Sequence, residues 1–381
     1  MCGIAGEINF KREINNGVLR EMSRCLTPRG PDAEGFYEDK NVGFAHRRLI
    51  VIDPEGGKQP MSFGDLTLIY NGELYNTDEL RAELVKKGYE FNGHSDTEVV
   101  LKCFAEYREK CVEMFNGIFA FAVWDKRLQR LFLARDRIGV KPLFYAEIDG
   151  GIVFASEIKA LLKHPGVKPV LTREGAAEIM LIGPAKIVGD GVFRDIRDIP
   201  AAHCASFDGN GLRVWVYWKL TASPHNEDFE TTAAHVRELI FDAVKRQLVS
   251  DVGICTFLSG GLDSSVISAI AAREFKERGE RLHTFSVDYV DNRKNFHATA
   301  FQPDEDAPYI ERMAEFIGSE HINVELDTPQ LADALVDSTY ARDLPGMADV
   351  DSSLYLFCGE IKKHFSVAVS GECADEIEHT C

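Results

Sequence analysis

The rhythm of apolar positions divides the chain in two. In the first half they fall in short runs with strand spacing, separated by brief helical intervals. Val42 to Ile52 and Leu66 to Tyr70 are rich in branched and aromatic residues and predict strands. Ile118 to Trp124, Leu131 to Ala134, Leu143 to Ala146 and Ile152 to Ser156 predict four more, and Leu212 to Leu220 the last of this half. Gly117 to Trp124 is the longest clean apolar stretch and predicts a buried strand. Asp78 to Lys87 has helical spacing, with Thr77 as N-cap and Gly88 as stop. Ser95-Asp96-Thr97-Glu98 matches a capping box, which sets Asp96 at the start of the next helix.

Thr221 to Glu230 is polar, contains Pro224 and lacks periodicity, so it predicts a linker (221–230) between domains 1–220 and 231–381. Helical spacing resumes at Thr232 to Leu248. Ile254 to Leu258 is apolar without alternation, the signature of a parallel strand covered on both faces. Leu282 to Asp288, His321 to Leu326 and Phe365 to Val369 predict its neighbours. Helices near Ala307 to Ile317, Leu331 to Arg342 and Ser353 to Lys363 separate them. This alternation predicts a doubly wound α/β domain with a parallel sheet.

Composition narrows the partners. The chain of 381 residues carries 43 basic and 61 acidic side chains, a net charge of −18. That balance argues against nucleic acid and against anionic membrane surfaces. No apolar run approaches the ~18 residues of a membrane span, and no secretory leader is recognised. The nine cysteines form no CxxC pair and no zinc-type cluster. The expectation is a reduced, cytoplasmic protein whose cysteines are mostly small core residues.

Two segments carry chemistry. Met1-Cys2-Gly3-Ile4 opens the chain; once Met1 is removed, Cys2 is a nucleophile whose own α-amine, with an ordinary pKa near ~8, can take the thiol proton. On position alone, Cys2 reads equally as a small residue opening a strand. Tyr70-Asn71-Gly72-Glu73-Leu74-Tyr75-Asn76 places a carboxamide and a glycine where a strand ends, the donors an oxyanion hole needs. Arg48, in His46-Arg47-Arg48-Leu49, with Glu73 and Asp96, offers a cation and anions for the two ends of an amino acid. Arg29-Gly30-Pro31-Asp32 is a rigid charged turn. Far downstream, Ser259-Gly260-Gly261-Leu262-Asp263-Ser264-Ser265 lies between a buried strand and a helix. Gly260 and Gly261 admit phosphate oxygens to backbone N–H groups, Ser259, Ser264 and Ser265 add hydroxyls, and Asp263 suits a bridging Mg²⁺. Ser-Gly-Gly by itself also reads as an ordinary helix cap. Ser370-Gly371-Glu372-Cys373-Ala374-Asp375-Glu376 follows another buried strand and would share the same crevice.

The N-terminal motifs, together with Ala134-Arg135-Asp136-Arg137-Ile138-Gly139-Val140-Lys141-Pro142-Leu143, resemble the class II glutamine amidotransferase domain, an α+β N-terminal nucleophile (Ntn) sandwich. The downstream pair resembles the α/β PP-loop ATP-pyrophosphatase domain of glutamine-hydrolysing asparagine synthetases, which join these two domains in this order. The resemblance implies that Cys2 attacks the glutamine side chain, that Asn71 and Gly72 stabilise the oxyanion, and that Arg48, Leu49, Ile52, Glu73 and Asp96 hold the amino acid. It implies that Leu258, Val287, Ser370 and Gly371 join the Ser259 to Ser265 turn around ATP. Asp263 and Asp375 would hold Mg²⁺, and Glu372 would assist synthesis. The implied substrates are glutamine, aspartate and ATP, and the implied assembly is a homodimer. Asp343-Leu344-Pro345-Gly346 through Asp351-Ser352-Ser353 matches the region lining the acid site. The chain departs from the pattern at its end: Cys373 stands where the family has glycine, and Glu378-His379-Thr380-Cys381 fit no part of it. The function the resemblance implies is glutamine-dependent asparagine synthesis, in which ammonia released at Cys2 amidates aspartate activated as β-aspartyl-AMP. The alternatives are a chain truncated relative to the family and active only as a glutaminase, with little or no asparagine made, or a relative amidating a different carboxylate.

Overall fold

The computed structural model describes residues 1–299, 303–372 and 374. They form two compact units, Met1–Ala222 and Ser223–Cys381.

The first unit carries, in chain order, β1 (Gly3–Asn9), β2 (Ala33–Asp39), β3 (Val42–Arg48), β4 (Met61–Phe63), β5 (Leu66–Leu74), β6 (Gly117–Asp125), β7 (Arg130–Arg135), β8 (Phe144–Ile148), β9 (Gly151–Ala155), β10 (Arg197–Asp198), β11 (His203–Asp208) and β12 (Gly211–Val216). They make two antiparallel six-stranded sheets, ordered β10-β8-β9-β1-β3-β2 and β12-β11-β7-β6-β5-β4. The side-chain alternation of β6 explains its unbroken apolar sequence. Phe119, Phe121 and Val123 join a core shared with Leu80, Leu84, Val99, Val100 and Phe104 of the helices Thr77–Lys86 and Asp96–Tyr107. Ala120, Ala122 and Trp124 join the core between the sheets, with Ile4, Ile8, Phe44 and Phe154. A strand covered on both faces needs no polar face. On the far side, the helix Asn16–Cys25 packs on β1 and β3. The layers are therefore helix, sheet, sheet, helix, the sandwich expected of an Ntn domain.

The second unit carries β13 (Ile254–Phe257), β14 (His283–Tyr289), β15 (Glu320–Leu326) and β16 (Val367–Val369), all parallel, in the order β15-β14-β13-β16. The helices Phe229–Arg246 and Leu262–Glu277 cover one face through Val244, Ile270 and Phe275. Phe357 and Ile361 of the helix Ala348–Ile361 cover the other, against Phe285, Val324 and Leu326. The strand order reverses between β13 and β16, which opens a crevice at their carboxyl ends.

Several boundaries differ from the sequence reading. The strand begun at Val42 stops at Arg48, because the side chains of Arg48 and Asp53 bind the backbone that follows into a loop. The strand predicted to end at Tyr70 runs to Leu74, so Asn71 to Glu73 lie on it. Asn76 occupies the N-cap predicted for Thr77, whose hydroxyl donates to the Leu74 carbonyl. Ser95 caps its helix by accepting from the Thr97 N–H, but Glu98 closes no box. Its carboxylate instead accepts from the N–H groups of Asn92 and Gly93 and from Lys102. The last strand of the first unit ends at Val216 rather than Leu220. The helix after the linker begins at Phe229, capped by Asp228, inside the span read as linker. The single helix predicted over Leu331 to Arg342 is two, Thr328–Asp333 and Leu335–Arg342. Among the described residues no helix is long and apolar enough to cross a membrane.

Candidate functional site

In the first unit, β1 delivers Cys2 beside β3, with Gly3 opposite Arg47 and Ile4 opposite His46. His46 links that strand to β5. Its Nε2 lies 3.1 Å from the Tyr70 carbonyl, and because a carbonyl only accepts, Nε2 carries the proton. Burial lowers the His46 pKa to about 3, so the ring is a neutral donor. The Cys2 thiol donates to the Leu49 carbonyl at 3.7 Å. Burial pushes the thiol pKa up, while the terminal amine and Arg48 pull it down. Arg29 Nε donates to the Cys2 carbonyl at 3.0 Å and its Nη1 to Glu157 at 3.0 Å, which fixes the backbone behind the thiol. The Met1 amine is also buried, which lowers its pKa to about 5.

The Asn71 to Glu73 stretch of β5 has two distinct edges. Phe119, opposite Gly72, turns its N–H and C=O toward Asp136 rather than toward β5. By strand alternation Gly72 therefore points its N–H away from β6, to the same edge as Tyr70 and Leu74. On that edge the Tyr70 N–H reaches Gln59 Oε1 at 2.6 Å and the Leu74 N–H reaches Asp96 at 3.1 Å. The Gly72 N–H lies between them. A Cβ on Gly72 would stand 2.6 Å from the Ile118 carbonyl oxygen, so only glycine fits. Asn71 is buried, and among the described residues its Nδ2 has no hydrogen-bond partner. Unpartnered buried donors are rare and call for a functional account.

Two carboxylates stand nearby. Asp96 accepts from the Tyr70 hydroxyl at 2.9 Å and from the Leu74 N–H. Burial pushes its pKa up against the pull of those two donors. Burial and then Asp96 raise Glu73 to about 7. This anionic pair suits an ammonium group. Arg48 is placed differently from its predicted role. Its Nη1 donates to Pro54 O at 2.7 Å, and its Nη2 to Ile52 O at 3.0 Å and Asp53 O at 2.6 Å. Its guanidinium therefore braces the loop after β3. Asp53 completes that loop, accepting from Gly56, His94 and Ser95 N–H groups at 2.8, 2.7 and 3.0 Å.

In the second unit, Leu258 is buried beside β14 and its N–H donates to the Phe285 carbonyl. Gly260 sits at φ +84° and Gly261 opens the Leu262–Glu277 helix with no side-chain cap. Ser264 Oγ meets Ser259 Oγ at 2.9 Å and accepts from the Ser259 N–H at 3.2 Å, which folds the turn on itself. Ser265 continues the helix, donating to the Gly261 carbonyl. Gly371, after β16, abuts the same helix end: a Cβ there would stand 3.1 Å from Asp263 Cβ and 3.2 Å from the Ser264 nitrogen. Ser370 Oγ accepts from the Glu372 N–H at 3.1 Å. The two turns thus meet at a helix end with no side-chain cap, where glycine backbone and serine hydroxyls suit a polyphosphate. Val287 is on β14, partly buried against the core that holds Phe285 and Phe357, and lines a cavity with Asp288, Asp306 and Ile310. Asp375 lies outside the described residues. Among the described residues, no group of three or more His, Cys, Asp or Glu side chains is placed to hold a metal ion.

Residues 1–218 match the family described as glutamine amidotransferase domain. The chain belongs to that family. Residues 235–379 match the family described as asparagine synthase. The Bacillus subtilis asparagine synthetase [glutamine-hydrolyzing] 3 is 50% identical over 384 residues, covering 99% of this chain and 62% of that relative. A second B. subtilis synthetase, number 1, is 34% identical, covering 99% of this chain and 58% of the relative. The Zea mays asparagine synthetase is 30% identical, covering 99% and 59%. The chain spans about three-fifths of the length of these curated relatives.

Within this glutamine amidotransferase unit, sequence reasoning missed the residues that hold the others in place. Tyr70 holds Asp96, Asp53 ties two loops together, and Glu157 pairs Arg29 across 128 residues. Asp136 is fully buried and accepts from Phe119, Ile138, Val140 and Lys141 N–H groups at 3.2, 3.2, 3.0 and 3.0 Å. The one available signal was an aspartate followed closely by a glycine, at Asp53 and Asp136, which marks side chains that organise turns.

Proposed function

We propose that this chain hydrolyses glutamine at Cys2 and uses the ammonia to amidate aspartate at the expense of ATP. The observation carrying the reading is the buried Asn71 Nδ2, unpartnered among the described residues, next to Gly72, whose N–H points away from β6, at the end of the sandwich where Cys2 emerges. A tetrahedral oxyanion is an acceptor that suits both donors. The Cys2 Sγ attacks the carboxamide carbon, and the α-amine freed by Met1 removal takes the thiol proton. That proton passes to the leaving ammonia, and water then cleaves the thioester to glutamate. Glu73 and Asp96 receive the substrate ammonium. Arg48 shapes the 52–57 loop through its carbonyl contacts and so positions the Leu49 and Ile52 backbone around the substrate.

In the second unit the cradle of Gly260, Gly261 and Gly371 receives the ATP phosphates. Asp263, with Asp375, would hold Mg²⁺, which offsets phosphate charge as the aspartate β-carboxylate attacks the α-phosphorus and pyrophosphate leaves. Ammonia then displaces AMP to give asparagine, with Glu372 assisting. The similarity to asparagine synthases supports aspartate as the acid. The expected setting is cytoplasmic, as a homodimer.

The test is one incubation with glutamine, aspartate and Mg·ATP that follows glutamate, asparagine and pyrophosphate together. The three appearing in step support the reading. Absence of glutamate overturns it, and glutamate alone confines the chain to glutaminase activity.

A further inference from the structure

On the side away from β6, β5 pairs with β4 from Leu66 to Leu68, with Phe63 opposite Leu66 and Met61 opposite Leu68. The same register, continued, would set Gln59 opposite Tyr70 and Gly57 opposite Gly72. The backbone does not continue it. The Gln59 carbonyl turns to β2, where a Cβ on Gly35 would collide with it. Gly57 is held in the loop after β3: its N–H donates to the Asp53 carbonyl at 2.9 Å, and a Cβ on it would collide with Arg48 Nη2. Side chains close the edge instead, on either side of Gly72. Gln59 Oε1 accepts from the Tyr70 N–H at 2.6 Å, and Gln59 Nε2 donates to Thr97 Oγ1 at 3.3 Å. His46 Nε2 donates to the Tyr70 carbonyl at 3.1 Å. Asp96 accepts from the Leu74 N–H at 3.1 Å, and the Thr77 hydroxyl donates to the Leu74 carbonyl at 2.6 Å. An edge strand offers a row of N–H and C=O groups that another backbone readily takes. Here side chains take those of Tyr70 and Leu74, and among the described residues no strand lies beside Gly72 on that edge.

We infer that Gln59 is a positioning residue for the oxyanion hole: its side chain stands in for the next pair of the β4–β5 ladder, ends the sheet before Gly72 and so keeps the Gly72 N–H for the substrate oxygen. This role rests on the reading of Asn71 and Gly72 as oxyanion donors. A side-chain amide suits the task because it ends where it bonds. A backbone carbonyl in its place would carry the chain onward, alongside Gly72. Through Thr97, the residue after Asp96, Gln59 also ties β5 to the start of the Asp96–Tyr107 helix. Without Gln59 the Tyr70 N–H loses its acceptor and the strand shifts at Gly72. Asp96 keeps its own bonds to Tyr70 and Leu74, so the loss falls on the transition state more than on binding.

The experiment is glutaminase kinetics of the full chain, wild type against Gln59→Leu and Gln59→Glu, with two inhibitors. One is glutamate. The other is a glutamine analogue with an aldehyde in place of the carboxamide: Cys2 Sγ bonds to its carbon, the C=O becomes an oxyanion, and the α-amine takes the thiol proton. The aldehyde calls on the oxyanion donors, whereas glutamate does not. Gln59→Leu is expected to lower kcat about 10- to 100-fold and to raise the aldehyde Ki by a similar factor, with KM and the glutamate Ki within about threefold of wild type. Gln59→Glu keeps an acceptor for Tyr70 and can accept from the Thr97 hydroxyl, so it should recover most of kcat. An unchanged kcat and aldehyde Ki overturn the inference, as does an equal loss for glutamate and aldehyde, which marks a general loosening of the site. If Gln59→Leu does not fold, Gln59→Met enters the same comparison. A wild type that does not hydrolyse glutamine sinks the glutaminase reading instead. The role of Gln59 is then still read by amide hydrogen exchange: Tyr70 should be protected and Gly72 not, with Tyr70 losing its protection in Gln59→Leu. The reverse order, or no loss, overturns the inference.

Discussion

The Asn71 carboxamide allows stability and catalysis to be separated in one substitution. Asn71 is 1% exposed and its Nδ2 has no partner among the described residues. A buried unsatisfied donor costs about 1–3 kcal/mol. Asn71→Ala removes that penalty and also removes the packing of a small side chain, which costs a comparable amount. The two nearly cancel, and the expected change in unfolding free energy is within about 1 kcal/mol of zero. The catalytic expectation is far larger. If the Nδ2 donates to the oxyanion, its loss lowers kcat by about 10²–10³, equivalent to about 2.7–4 kcal/mol. Urea denaturation followed by intrinsic fluorescence gives the first quantity, and glutamate release per folded molecule gives the second. A variant that loses more than about 2 kcal/mol of stability while keeping its kcat would refute the reasoning, because Asn71 would then be a structural residue.

Three further outcomes follow from the same geometry. Tyr70→Phe removes the 2.9 Å hydrogen bond to the buried Asp96 carboxylate, so stability should fall by about 1.5–3 kcal/mol and KM for glutamine should rise; both are read from urea midpoints and initial rates. Gly371→Ala places a methyl 3.1 Å from Asp263 Cβ and 3.2 Å from the Ser264 nitrogen, and should weaken a non-hydrolysable ATP analogue about tenfold or more by titration calorimetry while the melting temperature barely moves. Glu73 is an acid whose pKa rises from 4.5 unfolded to about 7 folded, so the folded state binds the extra proton between those values. Stability should therefore decline as pH rises through that window, and Glu73→Gln should flatten that part of the curve; an unchanged slope contradicts the assignment.

Much of the fold was legible because burial is written into spacing. The unbroken run on β6 and the run at Ile254–Phe257 both predicted strands, and each is covered on two faces. The helix Ala307–Ile317 has the limits its periodicity predicted. Errors gathered where a side chain binds backbone at a distance. Glu98 fits a capping box locally, yet Asn92, Gly93 and Lys102 claim its carboxylate. Arg48 reads as a free cation at a strand end, yet three carbonyls of the next loop take its donors. Local pattern states what a residue is able to bond, and the closed fold decides which partner is nearest.

The sequence by itself determined the two-unit architecture, the strands of both cores and the residue types available for thiol and phosphate chemistry. These follow from periodicity and from glycine, features each segment carries alone. Only the tertiary structure decided the electrostatics. It buried Lys141 with a sulfur for a partner, left Asn71 Nδ2 unpaired among the described residues and raised Glu73 to about 7. It also set Gly371 against the helix end at Ser264, because β16 pairs with β13 across 113 residues of chain. Charge and desolvation depend on which surfaces the chain brings together after closing, and no stretch of sequence carries that information locally.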